Sequence, residues 1–154
     1  MPAVPVSVMR RSLLLAGAAL LLPLGAVAQS GASADITPQD ARSQAAAGKI
    51  RLIDMRTPEE WRETGVAPGA ARINMYHPEG ADGFTRELLK LVGGDRNAPI
   101  ALICRSGNRS TQVQRYLAGQ GFTRVYNVRE GMQGGSAGPG WLSRGLPVES
   151  CKSC

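Results

Sequence analysis

Residues 100–110 read Ile-Ala-Leu-Ile-Cys-Arg-Ser-Gly-Asn-Arg-Ser, and they carry the clearest indication of the fold. Residues 100–103 form the most continuous apolar run outside the N-terminal region, which predicts a central strand buried on both faces. The polar residues 106–108 indicate a loop. Residues 110–120 carry apolar side chains at helical spacing and precede Gly121, which is typical of a helix that ends there. Cys104 therefore follows a buried strand and precedes a helix.

Strands and helices alternate along the rest of the chain. Helix starts are indicated at residues 37–40 and 57–60, where Thr-Pro is followed by acidic residues that suit a capped first turn. A third helix is expected over residues 84–92. Short apolar runs predict strands, and they cover residues 50–53, 72–75 and 124–128. This alternation predicts an α/β fold with a mainly parallel sheet.

The N-terminal region has the pattern of an export signal. Arg10 and Arg11 precede an apolar segment over residues 13–27, and Ala26-Val27-Ala28 supplies the small residues of a cleavage site. We expect cleavage after Ala28, with a membrane anchor as the alternative; the apolar segment is shorter than the roughly 20 residues of a spanning helix. The arginine pair leaves both the general secretory route and the twin-arginine route open. Translation could start at the first methionine or at Met9.

Composition and charge restrict the classes of function. The chain of 154 residues has 43% hydrophobic and 19% charged residues and a net charge of +6, so it can form one packed domain. Removal of residues 1–28 takes away two arginines and no acids, which leaves +4. The basic residues are scattered, so a nucleic-acid partner is not expected, whereas a modest attraction for small anions is.

The loop after Cys104 has the features of an anion cradle. In an open α/β sheet, sites form at the carboxyl ends of strands. A loop that tightens into a helix start directs several backbone N–H groups inward, and these groups stabilise a sulfur anion at Cys104. Gly107 permits the tight turn, and Arg105 and Arg109 add positive charge for an anionic substrate. We expect this sulfur to be both charged and reachable.

A thiolate in such a cradle can attack the outer sulfur of thiosulfate. The product is a persulfide, which the same N–H donors stabilise. A thiophilic acceptor, either cyanide or a thiol, then removes the outer sulfur. This chemistry needs no metal and no cofactor.

Three groups of residues resemble the rhodanese homology domain over roughly residues 36–149. The first group is the Cys104–Ser110 loop. The remaining residues, listed in chain order, are Asp54-Met55-Arg56, Glu60-Trp61, Gly65, Pro68-Gly69-Ala70, Asn74, Gly121-Phe122, Val125-Tyr126-Asn127, Glu130-Gly131-Met132 and Trp141. Each piece is unspecific alone, but their order and spacing together match the family.

The resemblance implies a central, mainly parallel sheet of about five strands flanked by helices, with Cys104 as the nucleophile. It further implies a substrate-facing Arg105 and a cradle of loop amides, contributed by Arg105, Ser106, Gly107, Asn108 and Arg109. The chain then divides into a signal peptide (1–28), a linker (29–35), a rhodanese-like domain (36–149) and a C-terminal tail (150–154). We expect an exported, periplasmic or secreted sulfurtransferase that takes a small anionic sulfur donor and a thiol or cyanide acceptor.

Two other functions stay open. The domain could be a non-catalytic binding or sulfur-carrier module. It could also be a phosphatase or an arsenate reductase, although such loops resemble Cys-x5-Arg and the spacing from Cys104 to Arg109 is one residue shorter. Asp54, Arg56 and Glu60 are interpreted as a supporting ion-pair cluster beside the loop, with a catalytic role as the alternative.

Cys151 and Cys154 form a C-x-x-C tail with three interpretations. The first is a structural disulfide, as expected in an oxidising compartment. The second is a redox or sulfur-accepting pair that takes sulfur from Cys104 and meets a thiol redox protein. The third is metal binding, for which two thiols alone make an incomplete site.

Overall fold

A computed structural model of the chain describes residues 1–3 and 34–154. The predicted signal peptide, beyond its first three residues, lies outside the described part, as do most of the predicted linker residues. The helices are α1 (Pro38–Ala46), α2 (Pro58–Thr64), α3 (Gly80–Leu91) and α4 (Asn108–Gly119). The strands are β1 (Arg51–Asp54), β2 (Ala71–Arg72), β3 (Ile100–Ile103), β4 (Val125–Asn127), β5 (Gly134–Gly135) and β6 (Gly138–Pro139).

The central sheet has four parallel strands in the order β2-β1-β3-β4. In its register Asp54 lies beside both Arg72 and Ile103, so β1, β2 and β3 end at the same level. Because all strands run the same way, their carboxyl ends share one edge of the sheet. Cys104 follows β3 at this edge, where ligand sites of open parallel sheets occur.

The parallel α/β architecture confirms the predicted fold class; among the described residues the central sheet has four strands, where about five were expected. Asp35 forms an isolated parallel bridge with Asn127 beside β4, at the position of a further strand. It stops at one residue pair because α1 begins at Pro38. Ala34 also contacts β4, since its carbonyl oxygen accepts a hydrogen bond from the amide of Asn127 at 3.0 Å. The predicted linker thus ends on the sheet.

Both predicted caps form the first turns of their helices. Thr37 accepts a hydrogen bond from the amide of Asp40 at the start of α1. At the start of α2, Thr57 accepts from the amide of Glu60, and the Glu60 carboxylate accepts from the amide of Thr57. This reciprocal pair is a capping box, which satisfies two donors that the first turn otherwise leaves unpaired.

Two apolar layers cover the sheet. On one face, α3 and α4 pack side chains such as Phe84, Leu88 and Leu117 against the sheet. On the other face, α1 and the segment after β4 contribute residues that include Val128 and Trp141. β3 is buried along its whole length, as its apolar sequence predicted. None of the helices within the described ranges is long and apolar enough to span a membrane.

Candidate active site

The Cys104 sulfur lies in a cradle of hydrogen-bond donors at the N-terminus of α4. The amide of Gly107 is 3.2 Å from Sγ, and the amide of Ser110 is 3.4 Å from it. The hydroxyl oxygen of Ser110 lies 3.3 Å from Sγ and 3.1 Å from the carbonyl oxygen of Gly107, and its one hydrogen can be donated to either atom. N–H groups at a helix N-terminus stabilise negative charge on an atom that they point to. The geometry therefore suits a sulfur anion.

Gly107 has the conformation that this turn requires. It is the N-cap residue of α4 and has φ +85°, in the left-handed region that favours glycine. A Cβ atom there would lie 1.8 Å from the carbonyl oxygen of Arg129. A side chain at position 107 is therefore excluded both by backbone conformation and by space.

The segment after β4 holds the Cys104 loop from the other side. The amide of Met132 donates to the carbonyl oxygen of Cys104 at 2.8 Å, and that of Gln133 donates to the carbonyl oxygen of Arg105 at 2.9 Å. These bonds turn the carbonyls away from the sulfur. Gly131 makes the close approach possible, because a Cβ there would lie 2.6 Å from the Arg105 carbonyl carbon.

Access to the sulfur is more restricted than we expected from the sequence. Cys104 is only 1% exposed. Arg105 is exposed at the rim, and its Nε donates to Oε1 of Gln133 at 2.6 Å. Contact between Sγ and a small sulfur donor therefore requires neighbouring side chains to move aside.

Arg109 and Glu60 join α4 to α2 beside the cradle. Two guanidinium nitrogens of Arg109 donate to the two carboxylate oxygens of Glu60, at 2.8 and 2.5 Å. Burial acts to raise the pKa of Glu60, but the hydrogen bonds from Arg109 and the Thr57 amide and the charges of Arg109 and Arg56 outweigh it, so the pKa lies below its ordinary value of 4.5. The hydrogen bond to Glu60 raises the pKa of Arg109, against the effect of burial.

Asp54 and Arg56 form a buried ion pair at the end of β1. Arg56 Nη2 lies 2.6 Å from Oδ2 of Asp54, and both side chains are essentially inaccessible. Arg56 also donates to the hydroxyl of Thr64 at 2.6 Å and to the carbonyl oxygen of Gly65 at 2.8 Å. These contacts fix the end of α2, and neither side chain hydrogen-bonds to Cys104. The geometry therefore favours a supporting role for Asp54 and Arg56 over a catalytic one.

The C-terminal cysteines form a disulfide, Cys151–Cys154, and neither of its sulfur atoms is among the hydrogen-bond partners of Cys104. Just before the disulfide, an antiparallel bridge between Val66 and Glu149 joins the tail to the rest of the domain. Cys151 packs with Trp61 and Val66. In this disulfide form the tail cannot accept a sulfur atom without first being reduced.

Some contacts of the site were not expected from the sequence. Ser110 contributes an amide and a hydroxyl to the cradle; from the sequence we placed it in the Cys104–Ser110 loop and at a helix start but not among the residues of the cradle. Its spacing of six residues from Cys104 could have indicated this role, since the first turn of a helix directs its amides back to the preceding loop. The contacts of Met132 and Gln133 had no such signal, because they depend on how the segment after β4 returns to β3.

Comparison with known proteins finds sulfurtransferases among the proteins that are similar to this chain. A family model described as Rhodanese-like domain matches residues 37–137. A sulfurtransferase of Allochromatium vinosum is 32% identical over 99 residues, which cover 64% of this chain and 78% of that protein. The thiosulfate sulfurtransferase GlpE of Pseudomonas entomophila is 32% identical over 98 residues, covering 64% of this chain and 80% of that protein.

A similar solved structure is the crystal structure of Rv0390 from M. tuberculosis. It has 30% sequence identity and a TM-score of 0.60, over 77% of this chain and 98% of that chain. The match extends over nearly all of that protein, so the likeness concerns the whole domain.

Proposed function

Because the chain belongs to the rhodanese-like domain family, we propose that it transfers sulfane sulfur from a thiosulfate-like donor, through a persulfide on Cys104, to cyanide or a thiol. The observation that carries this proposal is the cradle around Sγ, in which the amides of Gly107 and Ser110 point at the sulfur. The thiosulfate sulfurtransferase named among the relatives supports thiosulfate as the donor to test first.

In the first step, the Cys104 thiolate attacks the outer sulfur of thiosulfate. A sulfur–sulfur bond forms at Sγ while the bond within thiosulfate breaks, and sulfite leaves with the electron pair. Preorganised N–H donors are most effective where negative charge develops in a site that excludes water. Such donors, together with the Ser110 hydroxyl at 3.3 Å, can bind the anionic persulfide.

In the second step, cyanide or a thiolate attacks the terminal sulfur of the persulfide. The bond to Sγ breaks, and Cys104 returns to the thiolate that the cradle binds. No electrons enter or leave the protein over the cycle, so these residues complete the transfer with bond formation and bond breaking alone. The exposed Arg105 guanidinium offers a positive charge where both anionic reactants enter.

The position of Arg109 favours sulfur transfer over phosphate hydrolysis. Both oxygens of Glu60 bind its guanidinium, so these donors are occupied by a carboxylate rather than free to bind a phosphate. A phosphatase needs strong donors for a transferring phosphoryl group. The four residues between Cys104 and Arg109 also form a short loop that suits a single sulfur atom.

Intact mass after thiosulfate treatment tests the proposal. The double variant Cys151→Ser/Cys154→Ser keeps Cys104 as the single cysteine and removes the tail as a competing site. We expect a mass gain of one sulfur atom that cyanide removes as thiocyanate, and no gain when Cys104→Ser is added. No gain with Cys104 intact would favour the binding-module alternative, and turnover of p-nitrophenyl phosphate in its place would favour a phosphatase.

We also propose that the protein is exported, with cleavage after Ala28. Support comes from the basic, apolar and small-residue segments at the N-terminus. N-terminal sequencing of the protein recovered from the non-cytoplasmic fractions of the cells should find Gln29 as its first residue. A full-length chain confined to the membrane fraction would contradict cleavage.

A further inference from the structure

We propose that the Cys151–Cys154 disulfide is a second active site, which exchanges electrons with an external dithiol, such as a dithiol protein of a thiol redox system. This inference does not depend on the activity of Cys104. It rests on the surroundings of the two sulfur atoms, which differ in burial and share one cation.

Arg72 is the cation at this disulfide. It ends β2 at the carboxyl edge of the sheet, and its Nη1 contacts the Sγ atoms of both Cys151 and Cys154, the latter at 2.6 Å. Reduction turns a neutral disulfide into two groups that can carry negative charge. A cation beside them stabilises the reduced form more than the oxidised form, which makes the disulfide easier to reduce.

The two sulfurs have different environments, and this difference indicates which of them is attacked and which of them leaves. Cys151 is 8% exposed and packs with Trp61 and Val66, whereas Cys154 is more accessible. An incoming thiolate therefore meets Sγ of Cys154 first. The leaving sulfur is then Sγ of Cys151, which Arg72 also contacts.

Trp61 provides a second donor in the same cluster. Its side chain is 7% exposed, and its Nε1–H has no hydrogen-bond partner within the described residues. A buried N–H without an acceptor is costly. A thiolate at Cys151 would bring an acceptor into this cluster, and the Arg72 guanidinium already lies over the Trp61 ring at 5.9 Å from its centroid.

The exchange is balanced as two consecutive displacements. The first thiolate of the external dithiol attacks Sγ of Cys154, the Cys151–Cys154 bond breaks, and its electron pair goes to Cys151. The second thiol of the donor loses its proton and attacks the donor sulfur of the mixed disulfide, which releases Cys154. The external dithiol is oxidised to a disulfide, and the tail gains two electrons and two protons.

The backbone holds the tail in place during this exchange. Val66 and Glu149 donate amide hydrogens to each other's carbonyl oxygens, at 2.9 and 2.8 Å. Gly65 makes room for this bridge, because a Cβ there would lie 2.6 Å from the carbonyl oxygen of Glu149. The cysteines follow directly after this anchor, so reduction can free the turn over residues 151–154 without releasing the bridge.

Redox equilibration of the Cys104→Ser variant tests the proposal, because only the tail then titrates. The protein is equilibrated in reduced and oxidised glutathione, and free thiols are trapped with a maleimide of high mass and counted on a gel. Arg72→Met removes the cation, and we expect it to lower the equilibrium constant for reduction by about three- to tenfold. The upper value corresponds to about 30 mV for a two-electron couple.

Two controls separate charge from structure. Arg72→Lys keeps a positive charge near the sulfurs but loses the planar guanidinium over Trp61, so its equilibrium constant should lie between those of the starting protein and Arg72→Met. Arg62→Met removes a neighbouring arginine that contacts the main-chain oxygen of Cys154, not its sulfur, and should stay within about twofold of the starting protein. Thermal unfolding of all variants shows whether a change reflects a loosened tail.

The attacked sulfur is found by brief reaction with glutathione, acid quenching and peptide mapping. We expect the adduct on Cys154. An adduct on Cys151, an unchanged equilibrium in Arg72→Met, or a disulfide reduced only when the protein unfolds would each overturn the proposal. Persulfide formation on Cys104 is measured separately, so failure here leaves the proposed sulfur transfer intact.

Discussion

Replacing Gly107 with alanine should damage both the stability of the fold and the chemistry at Cys104. Gly48→Ala is the matched control, because both glycines have positive φ, +67° at Gly48 and +85° at Gly107. A Cβ at Gly48 meets nothing within 4 Å, whereas a Cβ at Gly107 lies 1.8 Å from the Arg129 carbonyl oxygen. The two variants therefore share the conformational cost and differ in the steric one.

The expected magnitudes follow from these two costs. Positive φ in a residue with a Cβ costs about 1–2 kcal/mol, which applies to both variants. At Gly107 the Arg129 carbonyl must also move by more than about 1 Å, and overpacking of this kind adds about 1–3 kcal/mol. For a domain of this size we expect Gly107→Ala to unfold roughly 4–12 °C below Gly48→Ala.

The rate of the chemical step should also fall, because the displaced loop carries the amide that lies 3.2 Å from the Cys104 sulfur. Misplacement of a reacting group by about 1 Å can cost about a hundredfold in rate. We expect persulfide formation from thiosulfate to slow by about ten- to a hundredfold in Gly107→Ala and to stay unchanged in Gly48→Ala. Urea unfolding and quenched mass spectrometry measure the two effects. Equal unfolding free energies and equal rates for both variants would show that the contact between a Cβ at position 107 and the Arg129 carbonyl has no effect on stability or chemistry.

Three further substitutions test other contacts of the site. Ser110→Ala removes the hydroxyl 3.3 Å from the Cys104 sulfur but keeps the amide, so the rate of persulfide formation, measured by quenched mass spectrometry, should fall only about three- to tenfold. The pKa of Glu60 is lowered in the folded protein, so its contribution to the free energy of unfolding is present above pH 4.5 and is lost as pH falls through the folded pKa. Between about pH 6 and about pH 3, the free energy of urea unfolding should therefore decline less steeply in Glu60→Gln than in the wild type. An identical decline in both proteins would contradict this expectation. Asp54→Asn leaves a buried guanidinium without its counter-ion and should cost about 3–5 kcal/mol by urea unfolding, whereas Glu59→Gln breaks an exposed pair and should leave the urea midpoint essentially unchanged.

Much of the fold is encoded by residues that are close together in sequence. The apolar run at residues 100–103 predicted β3 at its observed bounds, and the two Thr-Pro starts predicted α1 and α2. Strand burial, helix capping and tight turns depend on a few neighbouring residues, so they can be recognised without knowing the sheet order. The edge strands were less predictable: residues 72–75 were expected as a strand, and only Ala71–Arg72 pair with β1.

The position of Cys104 after a buried strand and before a helix was likewise readable from the sequence. Of the loop amides expected to face its sulfur, that of Gly107 does so, and the amide of Ser110, which was not expected, joins it. The wider arrangement around Cys104 was not readable from the sequence. Glu60 and Arg109 are 49 positions apart, and Arg72 and Cys151 are 79 positions apart. Neither pairing has a local signal.

The α/β class followed from the alternation of strands and helices along the sequence, and the place of Cys104 at a strand-to-helix turn followed from its immediate neighbours, because strand burial and helix starts are local properties of the chain. Three features appear only in the folded chain: Cys104 is nearly inaccessible, the segment after β4 holds its loop through backbone hydrogen bonds, and the tail disulfide contacts Arg72 at the end of β2. These features depend on which strands are neighbours and how far each connection returns across the sheet. Such contacts form between residues that are distant along the chain, and the distances between their atoms are set by tertiary packing, not by the spacing of the residues in the sequence.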